Sequence, residues 1–156
     1  MRKSHIAALW SLVLMLAVAS CCPCRKAANN NHRPLLSTEW SLVQMDGKNI
    51  TEAFASEGAP RLVLGDDGNF GGYGGCNSMG GTYKMIPSEL PSQRDVAGKV
   101  TFGGIYSTKR MCPSEGLEMT FFKALSECDS FTIEGTKLFL FHNGELTLVF
   151  EAQQQQ

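Results

Sequence analysis

The side chains best suited to chemistry in this sequence are cysteines. Of six, three fall beyond residue 37: Cys76 among glycines, Cys112 just after a basic pair, and Cys128 near the end of an apolar-periodic segment. A thiolate is a nucleophile, and a nearby histidine is its usual base. The one histidine between residues 38 and 151 is His142, at the end of the run TKLFLFHNG beside a turn. A surface histidine is the ordinary occupant of such a strand end. No local signature joins His142 to Cys76 or Cys112, so a thiol-dependent enzyme using either cysteine stands as the alternative reading. Histidines and cysteines never fall at metal-ligand spacing in this region, and Cys22-Pro23-Cys24 is only a two-cysteine fragment. Asp66-Asp67 lacks further spaced carboxylates and reads as a solvated turn rather than a calcium loop. No metal and no other cofactor is expected.

Residues 71–83, GGYGGCNSMGGTY, hold six glycines in thirteen positions, which raises a phosphate-binding reading. A dinucleotide fingerprint starting Gly72-x-Gly74 needs glycine or alanine at 77 and meets Asn77. A phosphate loop starting at Gly75 reaches Gly80, Gly81 and Thr82, but Gly81 occupies the lysine position, and no helix follows to aim its N-terminus at an anion. Both readings fail. Glycines in strands serve bulges, tight bends and close backbone approach, so this run is expected to bend a small sheet. Lys109-Arg110 is the most notable charged pair. It either stays solvated or meets an anionic group or partner.

The elements that position these residues are mostly strands. Residues 38–47 alternate around Trp40 and Leu42 and stop at Asp46-Gly47. Residues 61–75 read as two strands joined by the polar loop 66–69, and residues 80–85 and 99–105 continue the pattern. SFTIEG, TKLFLFHNG and ELTLVFE form three alternating runs broken at Glu134-Gly135 and Asn143-Gly144, the latter a strong hairpin signal. Only residues 113–130 have helical period, with Leu117, Phe121, Leu125 and Cys128 on one stripe beside Ala124. About eight short strands and one packed helix predict an α+β domain, a curled antiparallel sheet or open barrel-like meander.

The ends of the chain carry an address. Arg2 and Lys3 precede the uncharged apolar run 6–20, a secretory signal too short for a confident membrane span. Val18-Ala19-Ser20-Cys21 resembles the bacterial lipobox, with cleavage after residue 20 and acylation of Cys21; Cys22 is the rival acceptor, but it would put Cys21 where a small residue belongs. Residues 21–37 then form a polar tether, 38–151 the domain, and 152–156 a polar tail. The whole chain has 14 basic and 15 acidic side chains. Without Arg2 and Lys3 the balance is 12 against 15, with no basic stripe, which argues against nucleic acid as a partner. Cys22 replaces the aspartate linked to inner-membrane retention, so the outer membrane, facing the periplasm, is the expected location.

Gly75, Cys76, Asn77, Gly81 and Tyr83, followed by Ser107, Thr108, Lys109, Cys112 and Pro113 before a helix, resemble the META or HslJ-like domain. Trp40, Asp46-Gly47 and the late hairpins extend the likeness over nearly all of 38–151. Met111 departs from the small residue that many relatives have there, and Cys128 is not part of the pattern. The resemblance implies a curled antiparallel sheet with a packed helix, similar to secretion pilotins, in a bacterial envelope lipoprotein. The family's namesake is linked to heat shock and antibiotic tolerance, and the family has no established catalytic residues. A non-enzymatic protein is therefore expected, binding an apolar ligand or an envelope protein in the hollow of its sheet. Lys109, Arg110, Tyr73 and Tyr83 are candidate binding residues, with Phe102, Phe139 and Phe141 adding to the lining. A disulfide between Cys76 and Cys112 is expected: both belong to the family pattern and lie in non-helical stretches, while Cys128 suits a buried free thiol.

Overall fold

Period-two alternation becomes nine strands in the computed structural model, which describes residues 32–88, 96–111 and 115–153. Cys21, Cys22, Cys24, Cys112 and Pro113 lie outside the described residues. β1 (Trp40–Met45) turns at Asp46-Gly47 into the two-residue β2 (Lys48–Asn49). β3 (Arg61–Leu64) and β4 (Asn69–Tyr73) form one hairpin, and β5 (Ser78–Pro87) and β6 (Val96–Ser107) form a longer antiparallel pair. The helix α1 (Glu115–Glu127) precedes a closing meander of β7 (Ser130–Glu134), β8 (Lys137–His142) and β9 (Glu145–Ala152).

Neighbouring strands pair antiparallel in the order β1-β3-β4-β5-β6-β7-β8-β9, and β9 returns to β1 with Trp40 opposite Ala152 and Met45 opposite Leu148. Eight strands therefore close a ring, with β2 appended outside β1. The α+β reading with about eight strands holds, and closure completes the expected curled sheet. Closure also removes most of the exposed edge that an open sheet would present.

The inward side chains explain why the ring holds. Trp40, Leu62, Ile133, Leu138, Leu148 and Phe150 are fully buried, and α1 adds Phe121 and Leu125. The Phe121 ring meets Phe150 at 6.3 Å between centroids, so the helix is fastened to the far strand by an aromatic edge contact. Tyr83 and Phe102 belong to this packed core, with Phe70 edge-on to Phe102 at 5.5 Å. Both are thus packed among core side chains rather than lining an open hollow. Phe139 and Phe141 alternate with buried Leu138 and Leu140 on β8 and are half-buried.

The glycine run serves the backbone, as expected. Gly75 has φ +103, and a Cβ there would stand 2.3 Å from the Phe54 ring. Phe54 comes from the turn segment before β3 and is fully buried, a plug with no periodic signal in the sequence.

Cys128 continues the helix stripe as expected. Among the described residues it is the buried free cysteine, and its thiol donates to the Ala124 carbonyl at 3.2 Å. Burial chiefly, with Asp129, Glu127 and Asp46 adding repulsion, pushes the thiol up to about 12. The folded thiol thus keeps its proton where the unfolded one, near 8.5, has lost it. This group leaves stability unchanged below about pH 8.5 and erodes it by about 1.4 kcal/mol per pH unit above, toward the folded value. Urea unfolding at pH 8 and pH 10 should show the wild type losing about 2 kcal/mol more than Cys128→Ala. Parallel losses in the two proteins would place the thiol in solvent.

Candidate functional site

The motif residues meet where β4 bends into β5. Gly74 N–H donates to the Asn77 carbonyl at 2.7 Å and closes the bend, which presents the side chain of Asn77 toward α1. Glu118 lies on the buried side of that helix and is 2 % exposed. The Asn77 backbone N–H donates to Glu118 Oε1 at 2.7 Å, and its Nδ2 donates to Oε2 at 2.8 Å. Each carboxylate oxygen therefore has its own donor, as a buried charge requires. Gly74 makes room for this contact: a Cβ there would stand 2.5 Å from Glu118 Oε1 and 2.7 Å from the Phe122 ring.

The other end of Asn77 holds the loop after β6. Its Oδ1 accepts from Thr108 Oγ1 at 2.9 Å and from the Arg110 N–H at 2.7 Å, while Nδ2 also lies 3.4 Å from the Arg110 carbonyl. Thr108 N–H donates to the Ser78 carbonyl at 3.0 Å. One asparagine thus joins bend, helix and loop, and its donors and acceptor are used within the protein. Cys76 is buried beside it, with Sγ 3.7 Å from the Arg110 carbonyl.

A groove of about 570 Å³ opens over this network, floored by Asn77 and Glu118 and walled by Ile105, Tyr106, Met111, Met119 and Phe122, with Lys109 and Arg110 also lining it. Six large hydrophobic side chains are exposed among the described residues, and three of them, Tyr106 (69 %), Met111 (98 %) and Met119 (59 %), border this one groove. A bulge puts Tyr106 there. β5 advances two residues from Gly80 to Thr82 while β6 advances three from Gly103 to Tyr106, with Gly104 at φ +61. The extra residue reverses the alternation, so Phe102 faces the core and Tyr106 faces out.

The structure brings Cys76, Lys109 and Arg110 together and leaves the two candidate tyrosines elsewhere. Neither Tyr73 nor Tyr83 lines this groove. Tyr73 donates its hydroxyl to the Glu57 carbonyl at 2.9 Å under the Arg61 guanidinium, and Tyr83 donates to the Gly65 carbonyl. Burial, then repulsion from Asp67 and Asp66, raises the Tyr83 phenol. His142 faces the end of α1: Nδ1 is 2.5 Å from the Glu127 carbonyl and Nε2 is 3.0 Å from Asn143 Nδ2. Asp67 accepts from the side chain and backbone of Asn69 and is held below the ordinary carboxylate range by them. Among the described residues no group of three or more histidine, cysteine or acidic side chains is placed to hold a metal ion. Glu118, Tyr106 and Met119 went unnoticed in the sequence; only the helical offset of Glu118 from Leu125 by seven residues hinted at an inward position.

These features define an antiparallel barrel with a packed helix, in which the bend residues form a saturated hydrogen-bond joint beneath a groove with exposed apolar walls. The META domain matches residues 33–155, and the chain belongs to that family. It is similar to an NMR structure of a protein from Burkholderia xenovorans, with 25% identity and TM-score 0.57, over 78% of this chain and 85% of that one. It is also similar to the crystal structure of a DUF4847 family protein from Bacteroides vulgatus ATCC 8482, with 20% identity and TM-score 0.48, over 78% of this chain and 96% of that one. No curated protein matches the chain.

Removing the asparagine side chain takes away the Oε2 donor of Glu118 and strands a buried charge. Asn77→Ala should lower unfolding free energy by about 3–5 kcal/mol. Glu118→Gln added to it should restore part of that, because the stranded charge is gone. Denaturant curves of the two single variants and the double variant read this directly. Strictly additive losses would show that the two side chains do not depend on each other.

Proposed function

We propose that this chain is a non-enzymatic binding protein of the bacterial cell envelope, anchored through acylated Cys21 and facing the periplasm from the outer membrane. The observation that supports the binding reading is the pairing of a polar motif whose groups are spent on one another with a neighbouring groove whose apolar walls are exposed. Catalysis needs a group left over for substrate; binding needs exposed apolar area beside positioned polar groups. A stress-related role follows from the heat-shock association of the family's namesake. The partner is an envelope protein or an apolar ligand held at this groove rather than in the filled interior. A thiol-dependent enzyme finds less support: Cys76 and Cys128 are both buried, and the Cys128 thiol holds its proton.

The lipid anchor rests on Val18-Ala19-Ser20-Cys21. One lipidated cysteine followed by a polar tether would hold the domain at a leaflet without spanning it. Among the described residues no helix is long and apolar enough to cross a membrane. Metabolic labelling with a fatty-acid analogue should mark the protein, and Cys21→Ser should abolish the mark. A label that persists in Cys21→Ser sinks the assignment.

The joint also supports the Cys76–Cys112 disulfide. Arg110, whose carbonyl lies 3.7 Å from Cys76 Sγ, is two residues before Cys112 in the chain. Such a bond would close a loop of about 37 residues and stabilise by roughly 4 kcal/mol through loop-closure entropy. Proteolysis without reduction, followed by mass spectrometry, should recover the two cysteines in one linked pair of peptides. Both thiols free in protein taken from the periplasm would refute the bond.

A further inference from the structure

The ring closes, but β6 meets β7 along only part of its length. β6 pairs with β7 only over Val96–Lys99, and residues 101–107 pair with β5 alone among the described strands. α1 packs against β6, and the groove runs between them, with residues 105–108 on one wall and Met119 and Phe122 on the other. A strand edge beside an apolar trough is a template for one more strand, because the main chain supplies the hydrogen bonds and alternate side chains enter the trough.

Charge selects the occupant. Lys109 and Arg110 are exposed where β6 ends, while Glu118, the described carboxylate of the groove, is buried and bonded to Asn77. Lys109 therefore offers a positive charge at the rim of the groove. Met111 and Met119 are unbranched and adapt their shape to varied apolar partners. We infer that the β6–α1 groove is a strand-addition site for an extended peptide segment of an envelope protein, in which apolar side chains alternate with carboxylates. The apolar set enters between Tyr106, Met119 and Phe122, and a carboxylate meets Lys109. This rests on the binding reading of the same groove given above.

The test uses the full chain extracted in detergent and a fluorescein-labelled peptide of about ten residues alternating Phe or Leu with Glu. Anisotropy should show binding that Met119→Glu or Lys109→Glu weakens about tenfold or more. Both positions are exposed, and circular dichroism of each variant checks that the fold is intact. The same peptide with Lys for Glu, or with alternate backbone nitrogens methylated, should fail to bind. Amides within residues 101–107 should gain exchange protection when the acidic peptide is added. Equal binding of the Glu and Lys peptides, or of the methylated peptide, overturns strand addition. So does retention of the protein on phosphatidylglycerol vesicles through Tyr106 and Lys109 without peptide binding, which would make the groove a lipid contact. Photo-crosslinking in cells from benzoylphenylalanine at Met119 separates the two levels. Partners captured there without peptide binding sink strand addition and keep the binding reading, and absence of both sinks the two together.

Discussion

A carboxylate buried to 2 % exposure is the constraint on which the rest of this structure turns. Removing Glu118 from water costs several kcal/mol unless both oxygens find donors. Asn77 supplies both, one from its backbone and one from its side chain. To bring them there the chain must bend sharply after β4, which requires Gly75 at positive φ, and must let the helix approach, which excludes any side chain at Gly74. The remaining acceptor of Asn77 then sets the loop that carries Lys109 and Arg110. A motif that looks like a loose set of small and polar residues is one joint, and its parts are interdependent.

Much of the scaffold was legible because its signals are local. Asn143-Gly144 and Asp46-Gly47 adopt the positive φ values that hairpin turns need, and the stripe through Phe121 and Leu125 is the buried face of α1, with buried Cys128 just past its end. Ring closure by β1 and β9 was not legible, since the pairing of Trp40 with Ala152 leaves no trace in either segment alone. The bulge at Gly104 hid the outward turn of Tyr106, because alternation counted from Phe102 points it inward. Glu118 was hidden for a different reason. A glutamate on an amphipathic helix belongs by default to the solvent face, and only its partner across the bend reveals otherwise.

The same separation of local from long-range information divides the functional reading. Cysteine, histidine and glycine draw attention as chemical residues, yet here they serve packing: Cys76 and Cys128 are buried, His142 meets the end of α1, and the glycines admit rings and a carboxylate. The surface with something left to offer is made of residues that no motif marks, Tyr106, Met111 and Met119. Their exposure follows from the joint beneath, which holds the strand end, the loop and the helix at fixed separation and so keeps the groove open. The motif thus underlies the surface proposed for binding.

Native-state hydrogen exchange at the Asn77 and Arg110 amides tests that account most directly, because both donate to side chains of the joint rather than to a strand or helix ladder. If the joint is the structural keystone, both amides exchange only through global unfolding, with the same free energy as core strand amides. Exchange at the rate of an exposed loop, while the core strands stay protected, would show that the bend and loop open freely and that the groove does not depend on them.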